Sequence, residues 1–179
     1  MAVTANQLRR FDIFRDLDDR DLQILTSVLK PERILPAGTV VCSEGEAARC
    51  CYFVLRGSID VSRQLRNGTA RHIGTIRANQ FFGEMALADS APRSANCAVK
   101  EEAELLRLDR SDFEAMSKAG SPFALRFQAL LAGNLAAQLR NAHRRLGMTI
   151  AAAGGASTRA AEAREFFLTL EAFDPRFKR

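Results

Sequence analysis

Residues 81–95 read FFGEMALADSAPRSA, and they break a run of short β-rich segments with a glycine, a helical turn and a loop. Gly83 stands where the backbone must pass close to another group, since only a residue without Cβ leaves that room. Glu84 to Ala88 suit a single helical turn, whose first N–H groups lack intrahelical partners and attract an anion. Arg93 follows on a loop held by Pro92, and its planar guanidinium matches phosphate oxygens with a two-pronged, charge-assisted bond. Glu84 is an acceptor, which suits a sugar hydroxyl rather than a phosphate. A ligand with one phosphate and one free ribose hydroxyl satisfies both. The bland alternative is a surface ion pair between Glu84 and Arg93, with Gly83 serving only a bend.

Outward from this stretch, residues 33–108 contain the segments RIL, TVV, CYFVL, SIDVSRQL, RHIGTI, CAVK and ELLRL. Turn signals separate them at Pro36-Ala37-Gly38, Glu44-Gly45-Glu46, Arg56-Gly57-Ser58 and Asn67-Gly68, the last being the sharpest hairpin signal. The pattern predicts an α+β, mainly β fold: an antiparallel β-roll or jelly-roll barrel flanked by an N-terminal helix and long C-terminal helices. The N-terminal helix covers 17–30, with Asp18 as N-cap, Asp21 at the capping-box spacing and Leu22, Leu25, Val28 and Leu29 on one face; Pro31 stops it. A short helix begins at Ser111 and closes at Gly120. Ser121-Pro122 opens another, running to about Leu146 with an apolar face that includes Phe123, Phe127, Leu130, Leu131, Leu135 and Leu139. At 1.5 Å per residue it spans about 40 Å, longer than the β-domain needs.

These boundaries divide the chain into a domain over 1–146 and a tail over 147–179. In the tail, Ala151–Thr158 reads as linker, and Ser157 or Thr158 caps a final amphipathic helix ended by Pro175. Its stripe of Phe166, Phe167, Leu170 and Phe173 either packs on the domain or meets a partner. Roughly thirty residues with one helix are too few for a winged helix-turn-helix, so direct DNA binding is not expected.

With 47% hydrophobic and 26% charged residues, the composition is that of a soluble globular chain rather than a disordered one. No apolar run reaches the length of a membrane span and no signal-peptide pattern opens the sequence, which predicts a cytoplasmic location. Cys42, Cys50, Cys51 and Cys97 show no metal-ligand spacing with His72 and His143, so no metal is expected. Adjacent Cys50 and Cys51 point to opposite faces of a strand, so at most one is expected to be buried. Two scattered histidines support no catalytic triad, and nothing points to an enzyme. The net charge of +5 is matched by five basic residues between Met116 and Leu146, namely Lys118, Arg126, Arg140, Arg144 and Arg145, with no acid among them. Such wide spacing suits a solvated helix face better than a stripe that reads nucleic acid.

FGEMAL followed by APRSA resembles the phosphate-binding cassette of the cyclic nucleotide-binding domain family, which includes the regulatory subunits of protein kinase A and the catabolite activator protein. The resemblance spans about Phe11 to Leu146, through ILPAGTVVCSEGE, YFVLRGSIDV and IGTI. It implies a cassette from Phe82 to Ala95 in which Glu84 takes the ribose 2′-hydroxyl and Arg93 the cyclic phosphate. The backbone of Gly83, Met85 and Ala86, with Ser94 and Ala95, completes the pocket. Val61, Ile73 and Gly74 match positions that line the base, and Gln138, Asn141, Ala142 and His143 are candidates for a lid residue from the long helix. Where the family commonly has Pro-Gly before the cassette this chain has Ala78-Asn79, and asparagine tolerates the left-handed conformation.

The resemblance implies a ligand, cAMP in preference to cGMP, and no cofactor. It further implies a stand-alone receptor that repositions its helices on binding to regulate a protein partner. A homodimer through the helix 122–146 is open, since Leu131, Leu135 and Ala142 roughly follow a coiled-coil seam. Two alternatives stand: an interaction module that keeps the fold without the ligand, and a basic surface that binds nucleic acid.

Overall fold

Two long strands carry the fold. The computed structural model describes residues 3–152 except Arg33, Arg66, Asn67 and Ser90. In order these form α1 (Ala5–Leu8), a 3-10 turn (Asp12–Phe14), α2 (Asp19–Val28), β1 (Lys30–Pro31), β2 (Val40–Cys42) and β3 (Cys50–Gln64). There follow β4 (Ala70–Arg77), β5 (Phe81–Phe82), α3 (Met85–Ala88), β6 (Asn96–Asp109), α4 (Arg110–Lys118) and α5 (Pro122–Ala152). β3 and β6 pair antiparallel from Cys50↔Asp109 to Ser62↔Asn96. β4 and β5 add to β3, while β1 and β2 add to β6, giving one six-stranded antiparallel sheet.

The sequence pattern predicted CYFVL and SIDVSRQL as separate strands around a turn at Gly57, yet they are one strand, as are CAVK and ELLRL. Gly57 makes a bulge instead: its φ is +81° and the β3–β6 register slips between Val54 and Ile59. A Cβ there would lie 2.1 Å from the Glu102 carbonyl oxygen, so the bend that lets both strands continue requires glycine. The predicted hairpin between β3 and β4 forms, with Gln64 opposite Ala70, while Asn67 itself lies outside the described residues. Of RIL, Leu35 makes a single bridge to Ala103.

The sheet separates two buried clusters. One joins Phe53 of β3 to the helices: Phe11 meets it edge-on at 5.5 Å, and Phe14 at 5.1 Å. Phe127 of α5 stacks on Phe14 and takes the edge of Phe113. The other cluster comprises Cys42, Val54, Ile59, Phe82, Cys97, Val99, Ala103 and Leu105.

Asp18 caps α2 as expected, accepting from the Asp21 amide at 2.8 Å. Asp21 does not complete a capping box. Its carboxylate is 2% exposed and pairs with Arg126 of α5. One of the five cations on the basic segment is therefore a strut between helices.

α4 begins at Arg110, one residue before the expected Ser111, and Gly120 closes it with φ +65°. α5 starts at Pro122 as expected but passes Leu146 to reach Ala152. Gly147 costs only about 1 kcal/mol inside a helix and no proline lies between it and Ala152, so nothing stops it there. Among the described residues, those up to Leu131 and those from Ala132 onward fall into two units. In the second, Leu139, Leu146 and Met148 of α5 are exposed. The predicted tail helix with Phe166, Phe167, Leu170 and Phe173, and its capping Ser157 or Thr158, lies outside the described residues.

Gly57→Ala is expected to destabilise the chain by about 1–3 kcal/mol, from a left-handed φ and the collision with Glu102. Urea unfolding measures it. Arg126→Ala leaves the buried Asp21 carboxylate without its arginine and costs about 1–2 kcal/mol, with half-exposure of Arg126 limiting the loss. The double variant Asp21→Asn, Arg126→Ala recovers part of it.

Candidate functional site

The short β5 strand delivers Phe82 to the second cluster, and Gly83 then turns the chain with φ +75°. The group that comes close to Gly83 is Arg93: a Cβ at Gly83 would lie 2.3 Å from Arg93 Nη1. Ten residues apart, the two are locked together by shape.

Arg93 is only 8% exposed. Its Nη2 donates to the Cys50 carbonyl at 2.8 Å and to Cys50 Sγ at 3.4 Å, and Nη1 donates to the Gly83 carbonyl at 3.4 Å. The Tyr52 ring lies beneath, 5.8 Å from ring centroid to guanidinium carbon. The backbone is gripped as well, since the Arg93 amide donates to the Glu46 carbonyl and the Gly45 amide to the Arg93 carbonyl, both at 2.8 Å. The Glu44 amide donates to Asn96 Oδ1 just beyond. These bonds all involve neutral acceptors, so none of them cancels the positive charge.

Glu84 is the N-cap of α3 and is 7% exposed. The expectation that the first amides of this turn lack partners needs correction for two of them. The Ala86 amide donates to the Gly83 carbonyl and that of Leu87 to the Glu84 carbonyl, so the turn consumes them. Met85 and Ser94 are exposed, Ala95 is half-buried and Ala86 is buried. Asp89 Oδ1 accepts from the Ala91 amide, and Arg110 of α4 donates to the Asp89 carbonyl, which braces the far end of the loop.

Val61 lies directly opposite Gly74 on the paired β3 and β4. The register shifts after Val61, because Ser62 faces His72, so Ile73 is the extra residue of a bulge and is 55% exposed. Asn79 adopts φ +67°, as the replacement of the usual glycine requires. Gln138, Asn141 and Ala142 are exposed on α5, His143 is half-buried there, and all four belong to the second unit.

Cys50 and Cys51 are both buried, against the expectation of one. Each face of β3 is covered: Cys51 joins the helix-side cluster and Cys50 lies under Arg93. Burial pushes the Cys51 thiol well above its ordinary range, with Cys50 and Glu84 adding to the rise. Burial likewise raises the Tyr52 hydroxyl, helped by a hydrogen bond with Cys50. Sequence reasoning missed Cys50 and Tyr52 as the bed of Arg93. The available signal was their alternation on one strand, which puts both on one face.

Among the described residues, no group of three or more His, Cys, Asp or Glu is placed to hold a metal, and no helix is long and apolar enough to cross a membrane.

Residues 32–119 match the family described as the cyclic nucleotide-binding domain. The chain is 35% identical over 112 residues to a cyclic nucleotide-gated potassium channel of Rhizobium etli, covering 63% of this chain and 30% of that protein. It is 29% identical over 123 residues to the cyclic AMP receptor protein of Thermus thermophilus, covering 69% and 56%. The crystal structure of the Thermus thermophilus catabolite activator protein superposes with a TM-score of 0.67 at 28% identity, over 76% of this chain and 62% of that one. The chain thus spans only part of the curated relatives it matches. The six-stranded antiparallel sheet with its N-terminal helix and long C-terminal helix is the fold that this structure shares. Residues 32–119, about half of the chain, are thus identified as a cyclic nucleotide-binding domain.

Proposed function

We propose that the chain is a receptor for a cyclic mononucleotide, cAMP in preference to cGMP, that binds without chemical conversion of its ligand. The observation that carries this reading is the buried guanidinium of Arg93, seated on neutral acceptors beside Glu84 at the start of α3. A charge held in a low-dielectric pocket and bonded only to neutral groups gains strongly from an incoming anion. Arg93 takes the cyclic phosphate and Glu84 the ribose 2′-hydroxyl. The backbone of Gly83, Met85 and Ala86, with Phe82, Ser94 and Ala95, closes the pocket, and Val61, Ile73 and Gly74 flank the base.

The preference for cAMP rests on relatives named for cyclic AMP, among them the Thermus thermophilus receptor, while the Ser94 hydroxyl suits either base. The candidates for a lid residue are Gln138, Asn141, Ala142 and His143. Binding shifts the population of α5 arrangements, and the output is a protein partner met by the segment that follows, or a second copy of the chain through α5. A nucleic-acid role finds less support, because Arg126 is committed to Asp21 and Asp18.

Calorimetry and thermal unfolding with cAMP and cGMP test the reading. At a hundred times its Kd, cAMP is expected to stabilise the fold by about 2.7 kcal/mol, a rise of about 5–10 °C in Tm, and to exceed cGMP at equal concentration. Arg93→Ala is expected to abolish the shift. Arg93→Lys, which keeps the charge but loses the fork, recovers only a minor part. Absence of binding by either nucleotide at millimolar concentration overturns the proposal. Glu84→Ala is expected to weaken binding of the ribonucleotide about tenfold while leaving that of 2′-deoxy-cAMP nearly unchanged, since an acceptor for the 2′-hydroxyl is worth about 1.5 kcal/mol.

A further inference from the structure

We infer that Cys42 and Cys97 are a cross-strand thiol pair that a hydroperoxide converts reversibly into a disulfide beside the cassette. Cys42 of β2 and Cys97 of β6 are partners in an antiparallel pairing, just past a register shift between Val40 and Cys42, and their side chains hydrogen-bond to each other. Opposed residues in such a ladder have Cα atoms about 4.5–5.5 Å apart, inside the range of about 4.4–6.8 Å that a disulfide spans. Both thiols are free, and both side chains belong to the same buried cluster.

Their electrostatic surroundings differ from those of the other cysteines. The Cys97 thiol hydrogen-bonds to Cys42, which is the main reason that the Cys42 thiol falls to about 7; burial opposes the fall. Arg93, at the loop preceding β6, adds attraction for the thiolate, and Glu46, on the loop following β2, works against it. The Cys97 thiol is correspondingly raised, mainly by its bond to Cys42 and by burial. The pair is thus divided into a nucleophile, Cys42, and a proton-bearing resolver, Cys97. Cys51, by contrast, is 0% exposed with its thiol pushed upward, and it has no such partner role.

The chemistry balances. The Cys42 thiolate attacks one oxygen of the peroxide and breaks the O–O bond. Cys42 becomes a sulfenic acid, and the departing hydroxide takes a proton to leave as water. Cys97 sulfur then attacks the sulfenic sulfur, its own proton going to the leaving hydroxyl, which departs as a second water. Two thiols lose two electrons and the peroxide gains them. Cys42 and Cys97 are 5% and 6% exposed, which bars bulky thiol reagents before it bars an oxidant nearly as small as water. The resulting bridge ties β2 to β6 immediately behind the loop whose Gly45 and Glu46 hold the Arg93 backbone.

The test uses the full reduced chain with hydrogen peroxide and needs no nucleotide, so failure of the ligand reading leaves it intact. Intact mass and peptide mapping are expected to show loss of two hydrogens and a Cys42–Cys97 linkage, reversed by dithiothreitol. Cys97→Ser is expected to stop at a dimedone-reactive sulfenic acid on Cys42, and Cys42→Ser to form no bridge. The rate is expected to rise with pH through about 7 and, in Arg93→Ala, to move to higher pH because a charge that favours the thiolate is gone. Near-UV circular dichroism confirms that each variant is folded, with Cys42→Ala as a second choice if Cys42→Ser is not. Oxidation that falls on Cys50 or Cys51 with Cys42 and Cys97 still reduced overturns the inference, as does a folded Cys97→Ser chain with no sulfenic acid at Cys42.

Discussion

A buried guanidinium is the constraint on which the centre of this molecule depends. Arginine stays charged at any physiological pH, and taking it from water is costly unless polar groups replace the solvent. Here the carbonyls of Cys50 and Gly83, the Cys50 sulfur and the Tyr52 ring surround Arg93. That arrangement has three requirements: a bare residue at 83, β3 passing underneath, and the loop at Gly45 and Glu46 gripping the arginine backbone. The cassette is consequently wedged between strands, and its position is inherited from the sheet.

The sheet can supply that position because β3 and β6 are long. A strand of five or six residues would cover one cluster only; strands of 15 and 14 residues, bent at Gly57, contribute to both. Phe53 faces the helices while its neighbour Val54 faces the opposite cluster, and the same alternation buries Cys51 and Cys50 against different surroundings. The helical side is closed by aromatic contacts among Phe11, Phe14, Phe53, Phe113 and Phe127, and by the Asp21–Arg126 pair. Burial of the Asp21 carboxylate makes the pair a strut whose loss is felt in both α2 and α5, although Arg126 keeps half its surface in water.

Much of this was legible locally. Asp18 as a cap, Pro122 as a helix start, Gly120 as a helix end and Asn79 in a left-handed turn all follow from the conformational preferences of single residues. The cassette was legible for the same reason, its glycine, turn and arginine being contiguous. What escaped the reading depends on partners far along the chain. Gly57 looked like a turn because only Glu102, 45 residues later, makes it a bulge. Cys50 looked like a spare hydrophobe because its contact with Arg93 spans 43 residues. Asp21 looked like half of a capping box because its real partner is 105 residues away. The end of α5 was placed too early because its apolar face runs out near Leu146, whereas the backbone continues to Ala152.

The long-range contacts also connect the two proposals. Arg93 is the charge that a cyclic phosphate would meet, and it is one of the charges that hold the Cys42 thiol down. An anion on the guanidinium neutralises part of that field, so occupancy of the cassette raises the Cys42 thiol and slows its attack on peroxide. Linkage makes the relation reciprocal: a form of the chain with less thiolate at Cys42 keeps more of the arginine's field for the ligand. The bridged form has no thiolate at all, which removes a negative charge that competes for Arg93. On electrostatic grounds alone, oxidation therefore strengthens the hold on an anion, while the tie between β2 and β6 stiffens the loop that positions the arginine. Both effects favour the same state, and both trace to one guanidinium lodged between two strands.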